Sequence, residues 1–291
     1  EVGAQRAGLL RPVFGSPDLD GNIPRVGGSL VRIGERGLGD RSQPLNHGIV
    51  SRQIERLFEG GRAELRLVPP DEGDDPLAYA ASGFLWDNAL ARKTTIFNMG
   101  EYCQSKFAPG LTWKDSYEDT LKGTGKVKVQ VKPTVKALEP FTHPGYPGFP
   151  CTAPDIYRAK LFANQMAEWE KAGAMPHLVY VFLPCDHTEG TRPGSPTPRA
   201  MVADNDLALG QVVEAVSKSK FWPKACIVST EDDPQAGFDH VDGHRTVGFC
   251  ISPYTRGKGV DSNCYNQTGM VKTIELILGL PPMNQMDLAA T

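Results

Sequence analysis

Residues 231–246 read EDDPQAGFDHVDGHRT, five carboxylates and two histidines in sixteen positions. Oxygen and imidazole donors at that density are what a divalent cation demands. Zn²⁺ takes His nitrogen and Asp oxygen, whereas Mn²⁺ and Ca²⁺ favour oxygen-rich shells. Adjacent Asp232 and Asp233 repel one another unless a positive charge sits between them, and a bound cation supplies it. A solvated acidic loop would account for Glu231, Asp232 and Asp233 alone. It would not account for His240 and His244 set among Asp239 and Asp242. A second polar stretch, PCDHTEGTRPG, adds Asp186 and His187, for which helix capping is the competing role. Arg192 and Arg199 flank a proline-rich stretch and could hold an anionic substrate group, with a surface role as the competing reading for each, and Arg192 is the substrate-binding candidate. The candidate metal ligands are therefore Asp186, His187, Asp232, Asp233, Asp239, His240, Asp242 and His244, not all of which can touch the ion. Asp204 and Asp206 fall within the next helical stretch and read as solvent-facing. No GxSxG, Walker or GxGxxG pattern occurs, so serine-esterase, NTPase and dinucleotide chemistries lack their usual signals.

The elements that must position these residues follow from hydrophobic periodicity. Thr152 with Asp155 reads as a capping box ahead of a helix to about Ala172, with Leu161, Phe162, Met166 and Trp169 as its buried stripe. HLVYVFLP reads as a strand covered on both faces. Thr197 and Pro198 suit the cap and first position of a helix to about Lys218 that turns Val202, Leu209, Val213 and Val216 to the sheet. KACIVST and TVGFCIS read as further buried strands, with Cys226 and Cys250 as small buried hydrophobes. TGMVKTIELILG closes the chain as a helix ended by Gly279 and Pro281. Upstream, SGFLWDNALA reads as a short helix and GKVKVQVKPTV as an exposed strand or hairpin arm. Alternation of this kind implies an α/β fold with a mostly parallel central sheet. In such sheets ligands bind at the carboxyl edge, where both polar stretches would emerge.

Composition bounds the rest. The chain has 291 residues, is 40% hydrophobic and carries a formal charge of −3, which gives no reason to expect nucleic acid as a partner. No apolar run reaches the roughly 18 residues of a membrane span, and the N-terminus lacks a signal-peptide layout. A chain beginning at Glu1 reads as a fragment or a processed product. The six cysteines form no CxxC pair, which argues against a structural zinc module. Residues 1–75 hold ten arginines, thirteen glycines and no lysine, and RQIERLFEGG is their only helical pattern.

The stretches YVFLPCDHTEGTRPGSPTPRAMVADNDLALGQVVEAVSKSKFW, EDDPQAGFDHVDGHRT, ISPYT and TIELILGLPPM, together with GFLWDNAL and MGEY, resemble a known family over about residues 76–291. It is the bacterial phosphoesterase family related to phospholipase C and acid phosphatase, in the alkaline-phosphatase-like superfamily, and the likeness is to its C-terminal half. The resemblance implies a three-layer α/β/α sandwich over 76–291 and hydrolysis of a small-molecule phosphate ester by a metal-activated hydroxyl. It also implies a periplasmic or secreted location. Carried over by residue, it puts Asp232, Asp233 and His240 first as metal or phosphate ligands, then His244, Asp186 and His187. The chain departs from the family in two places. Cys185 stands where the family has Asn, and residues 1–75 contain neither the ENRTYD-like stretch that brings the nucleophile nor the DGHNW-like one. That segment is either a divergent replacement or an out-of-frame reading of GC-rich coding sequence. The competing reading of the whole is a non-catalytic metal-binding domain.

Overall fold

A computed structural model describes residues 79–232, 234, 245–257 and 259–291. The RQIERLFEGG pattern and Asp233, Asp239, His240, Asp242 and His244 lie outside these described residues. Within them the fold is mixed α/β. Helix α1 (Leu85–Ala91) leads into β1 (Ile96–Met99), and β2 (Cys103–Phe107) is followed by α2 (Trp113–Lys122) and β3 (Val129–Pro133). Helix α3 (Asp155–Ala172) precedes β4 (Leu178–Val181), α4 (Pro198–Ser217) and β5 (Ile227–Thr230). The chain ends through β6 (Gly248–Ile251), α5 (Gln267–Leu278) and α6 (Gln285–Ala289).

The strands form three two-stranded ladders among the described residues. β1 and β4 are parallel, with Ile96 opposite Leu178 and Met99 opposite Val181. β2 and β3 make the antiparallel arm expected of GKVKVQVKPTV. β5 and β6 are antiparallel, with Ile227 opposite Ile251, so the last strand does not extend a parallel series. The polar segment joining them contains no apolar helical stripe to serve as a crossover, and an antiparallel return needs none. β4 is half-buried throughout rather than fully covered. Cys226 is half-buried and Cys250 exposed, because this two-stranded ladder leaves part of its surface open.

Two helices carry the main core. In α3, Phe162, Met166 and Trp169 are buried as expected and Leu161 packs partly against them. In α4 the buried face is Met201, Asp204, Ala208, Val212 and Val216. Val216 is buried as expected, but Val202 is 48% exposed, and Met201, Ala208 and Val212 take the places expected of Val202, Leu209 and Val213. Thr197 does cap α4, its side chain accepting from the Ala200 N–H, with Pro198 in the first turn. Thr152 does not cap α3. The cap position is Pro154, whose ring offers no acceptor, and the Asp155 carboxylate is engaged elsewhere.

That engagement joins the layers. Arg158 is fully buried, its Nη1 3.0 Å from Asp155 Oδ1. The guanidinium also donates to the carbonyls of Pro147, Gly148, Pro150 and Ala153. The other Asp155 oxygen accepts from the Cys185 N–H at 2.9 Å and from Asn205 Nδ2 at 3.0 Å. One ion pair thus ties the 147–153 loop, the start of α3, the turn after β4 and α4. Removing one member of such a pair leaves an uncompensated buried charge. Arg158→Met is expected to lower the unfolding free energy by about 3–5 kcal/mol in urea titrations. A variant as stable as the parent would show the pair to be dispensable.

Candidate metal centre

The parallel β1–β4 ladder sends both following turns out at one edge. The turn after β1 is Gly100-Glu101. Gly100 has φ +101°, and a Cβ there would lie 2.9 Å from the Pro147 carbonyl and from the Tyr146 ring, so only glycine fits. The fully buried Asn98 then fixes Glu101: its Oδ1 accepts from the Glu101 N–H at 3.0 Å and its Nδ2 donates to the Glu101 carbonyl at 2.8 Å.

Asp186 and His187 lie in a single helical turn, Cys185–His187, after β4. A second asparagine does the equivalent work here. Asn205 Nδ2 donates to the Leu183 carbonyl at 2.7 Å and lies 3.4 Å from Asp186 Oδ1. His187 is exposed, its ring edge-on to Phe149 at 5.0 Å and its Nδ1 3.1 Å from the Thr188 carbonyl. Arg192 is exposed and paired with Glu189 at 2.8 Å.

The third arm follows β5. Gln267 Nε2, in the first turn of α5, donates to the carbonyls of Glu231 at 3.0 Å and Asp232 at 2.7 Å. The Glu231 N–H donates to the Val247 carbonyl at 3.1 Å. The acids of the three arms are coupled electrostatically. Burial, and then the Asp232 charge, push Glu101 up to about 7. Burial, then Glu231 and Asp155, push Asp186 up to about 6. Each of the two turns after the parallel pair therefore carries a carboxyl that feels an acid of the turn after β5, Glu101 feeling Asp232 and Asp186 feeling Glu231. Of the expected ligands, Asp186 and Asp232 are described at this edge, with His187 beside Asp186 on the surface. Glu101 was not anticipated from sequence. The available signal was a Gly-Glu pair directly after a strand.

A second group of donors lies behind this edge. Carboxylate oxygens of Asp155 and Asp204 and the Cys185 sulfur all fall within 4.8 Å of one another. Spacing alone would suit a cation, but the chemistry does not. Arg158 already supplies the positive charge, and both Asp155 oxygens are taken by N–H donors. The Cys151 thiol and burial also push the Cys185 thiol far above its ordinary range, which keeps it neutral rather than a thiolate ligand.

Asp204 is the surprise of this group, since it is 6% exposed where a solvent-facing residue was expected. Its Oδ2 accepts from the Asp155 N–H at 2.5 Å, while Oδ1 is buried without a hydrogen-bond partner. Burial, with the Asp155 charge adding to it, raises Asp204 to about 6. A carboxyl with a raised folded pKa favours folding fully below its unfolded value and loses that contribution as pH rises through its folded value. The Asp204 contribution is thus lost between about pH 4 and pH 6. Asp204→Asn is expected to stabilise the protein at pH 8 by about 1–3 kcal/mol and to have little effect at pH 4. Thermal melts across that range would show it, and a variant less stable at pH 8 would refute it.

Comparison with protein-family models, curated proteins and solved structures gave no match to this chain.

Proposed function

We propose that the protein is a metal-dependent phosphoesterase of the alkaline-phosphatase type, acting on a small-molecule phosphate ester. What supports this reading is that Glu101 and Asp186 follow the two strands of the parallel pair and that burial raises both, with the charge of Asp232 adding to it at Glu101 and that of Glu231 at Asp186. A divalent ion would favour the charged form of each of these carboxyls. Asp186, Asp232 and Glu101 would hold a divalent ion, Zn²⁺, Mn²⁺ or Ca²⁺, with Asp233, His240, His244 and His187 as the further sequence candidates. The ion would polarise phosphoryl oxygens and neutralise the ester's charge. In this chain Asn98 and Asn205 hold the ligand-bearing turns, and Arg192 supplies a cation for the substrate. The parallel β1–β4 pair and the helices around it are consistent with a three-layer α/β/α sandwich.

A second reading, a non-catalytic metal-binding domain, is favoured by one observation: residues 1–75 lack the family's nucleophile stretch. Two measurements test the pair. Elemental analysis after reconstitution should find close to one Zn²⁺ or Mn²⁺ per chain, and Asp232→Asn should weaken uptake by about 10-fold or more. Absence of metal in parent and variant alike would end both readings. Turnover of p-nitrophenyl phosphate and of bis-p-nitrophenyl phosphate, with and without metal, then separates them. With no nucleophile stretch in 1–75, turnover is expected to be poor. Robust metal-dependent release of nitrophenol would establish the enzyme and show that the nucleophile lies elsewhere in the chain.

A further inference from the structure

The acidic segment between β5 and β6 is bracketed by two cysteines. Cys226 stands one residue before β5, and Cys250 lies in β6 opposite Val228. Strand alternation then puts Cys226 and Cys250 on the same face as diagonal neighbours. Their Sγ atoms are 3.7 Å apart, and both thiols are free. Cys250 is exposed and Cys226 half-buried, whereas Cys103, Cys151 and Cys185 are buried away from any dissolved oxidant.

We propose that Cys226 and Cys250 form a reversible cross-strand disulfide that links β6 to the residue before β5. The sulfurs must approach to the roughly 2.05 Å of a bond. Cys226 lies outside the paired ladder, so its backbone and side chain can shift without breaking a strand hydrogen bond. Burial, then the neighbouring Cys250, hold the Cys226 thiol up at about 11, so the exposed Cys250 is the first to react. Cys250 loses its proton to water and attacks one sulfur of a low-molecular-weight disulfide such as oxidised glutathione. One thiolate leaves, and a mixed disulfide remains on Cys250. Cys226 then gives up its proton, attacks the Cys250 sulfur and expels the second thiolate. Two protein thiols are oxidised and one small disulfide is reduced to two thiols. An exposed, diagonally placed bridge is of the readily reduced kind, suited to switching rather than to permanent stapling. The inference stands on thiol geometry and is independent of the metal reading.

The test uses the full chain, incubated with oxidised glutathione near pH 8, alkylated and digested with trypsin. Cleavage after Lys224, Arg245 and Arg256 puts Cys226 and Cys250 on different peptides, each with a single cysteine. The expected product is peptide 225–245 joined to peptide 246–256, lost on adding dithiothreitol, with the oxidised chain melting several degrees higher. Cys226→Ser should instead trap glutathione on Cys250, a readout that does not depend on how well Cys250→Ser folds. Stable glutathione on Cys250 of the parent without the joined peptides would overturn the proposal. A Cys250–Cys264 product, or no reaction at either thiol, would overturn it equally.

Discussion

The buried Arg158–Asp155 pair is the constraint on which the rest of the architecture depends. A fully buried guanidinium is tolerable only when its charge is matched and its donors are used. Here Asp155 supplies the charge, and four carbonyls of the 147–153 loop take the remaining donors. Because Asp155 also receives the Cys185 N–H and Asn205, the same pair fixes where β4 hands over to Asp186. The position of a candidate ligand thus follows from an ion pair that never reaches solvent. The loop it anchors is clamped from the other side as well. A Cβ on Gly148 would sit 1.9 Å from the Cys103 carbonyl, so the backbones there touch and the loop has nowhere to move.

Charge is distributed unevenly across the two groups of acids. The inner one is balanced, since Asp155 has Arg158 and Asp204 tends toward its neutral form. At the outer edge burial raises Glu101 and Asp186, with the charges of Asp232 and Glu231 adding to it. The buried Arg158 guanidinium, rather than the number of carboxylates, marks the inner cluster as structural. Donor spacing alone would have chosen the inner one.

Much of the frame was legible in sequence where the signal was local. Thr197-Pro198 fixed the start of α4 because a cap and a first-turn proline act over a few residues. Gly279 ends α5 in the left-handed conformation for the same reason. What escaped depended on partners far away in sequence. Asp155 looked like half of a capping box, yet its oxygens go to residues 185 and 205, which local pattern does not reveal. Asp204 looked solvent-facing because a hydrophobic stripe excludes polar residues, and the paired Val212-Val213 left the buried face of α4 ambiguous by one residue. The direction of β6 was equally out of reach, since strand patterns carry no sense of orientation. Of the site, Asp186 and Asp232 were readable as polar residues following apolar strands. Glu101 was not, because burial and a neighbouring charge, rather than residue type, set it apart.

The β1–β4 ladder has a kinetic consequence. Its ends join residues far apart in the chain, Thr95 and His177 being 82 positions distant. Parallel pairing at such separation is slow to nucleate, because the intervening chain must be ordered before the ladder is rewarded.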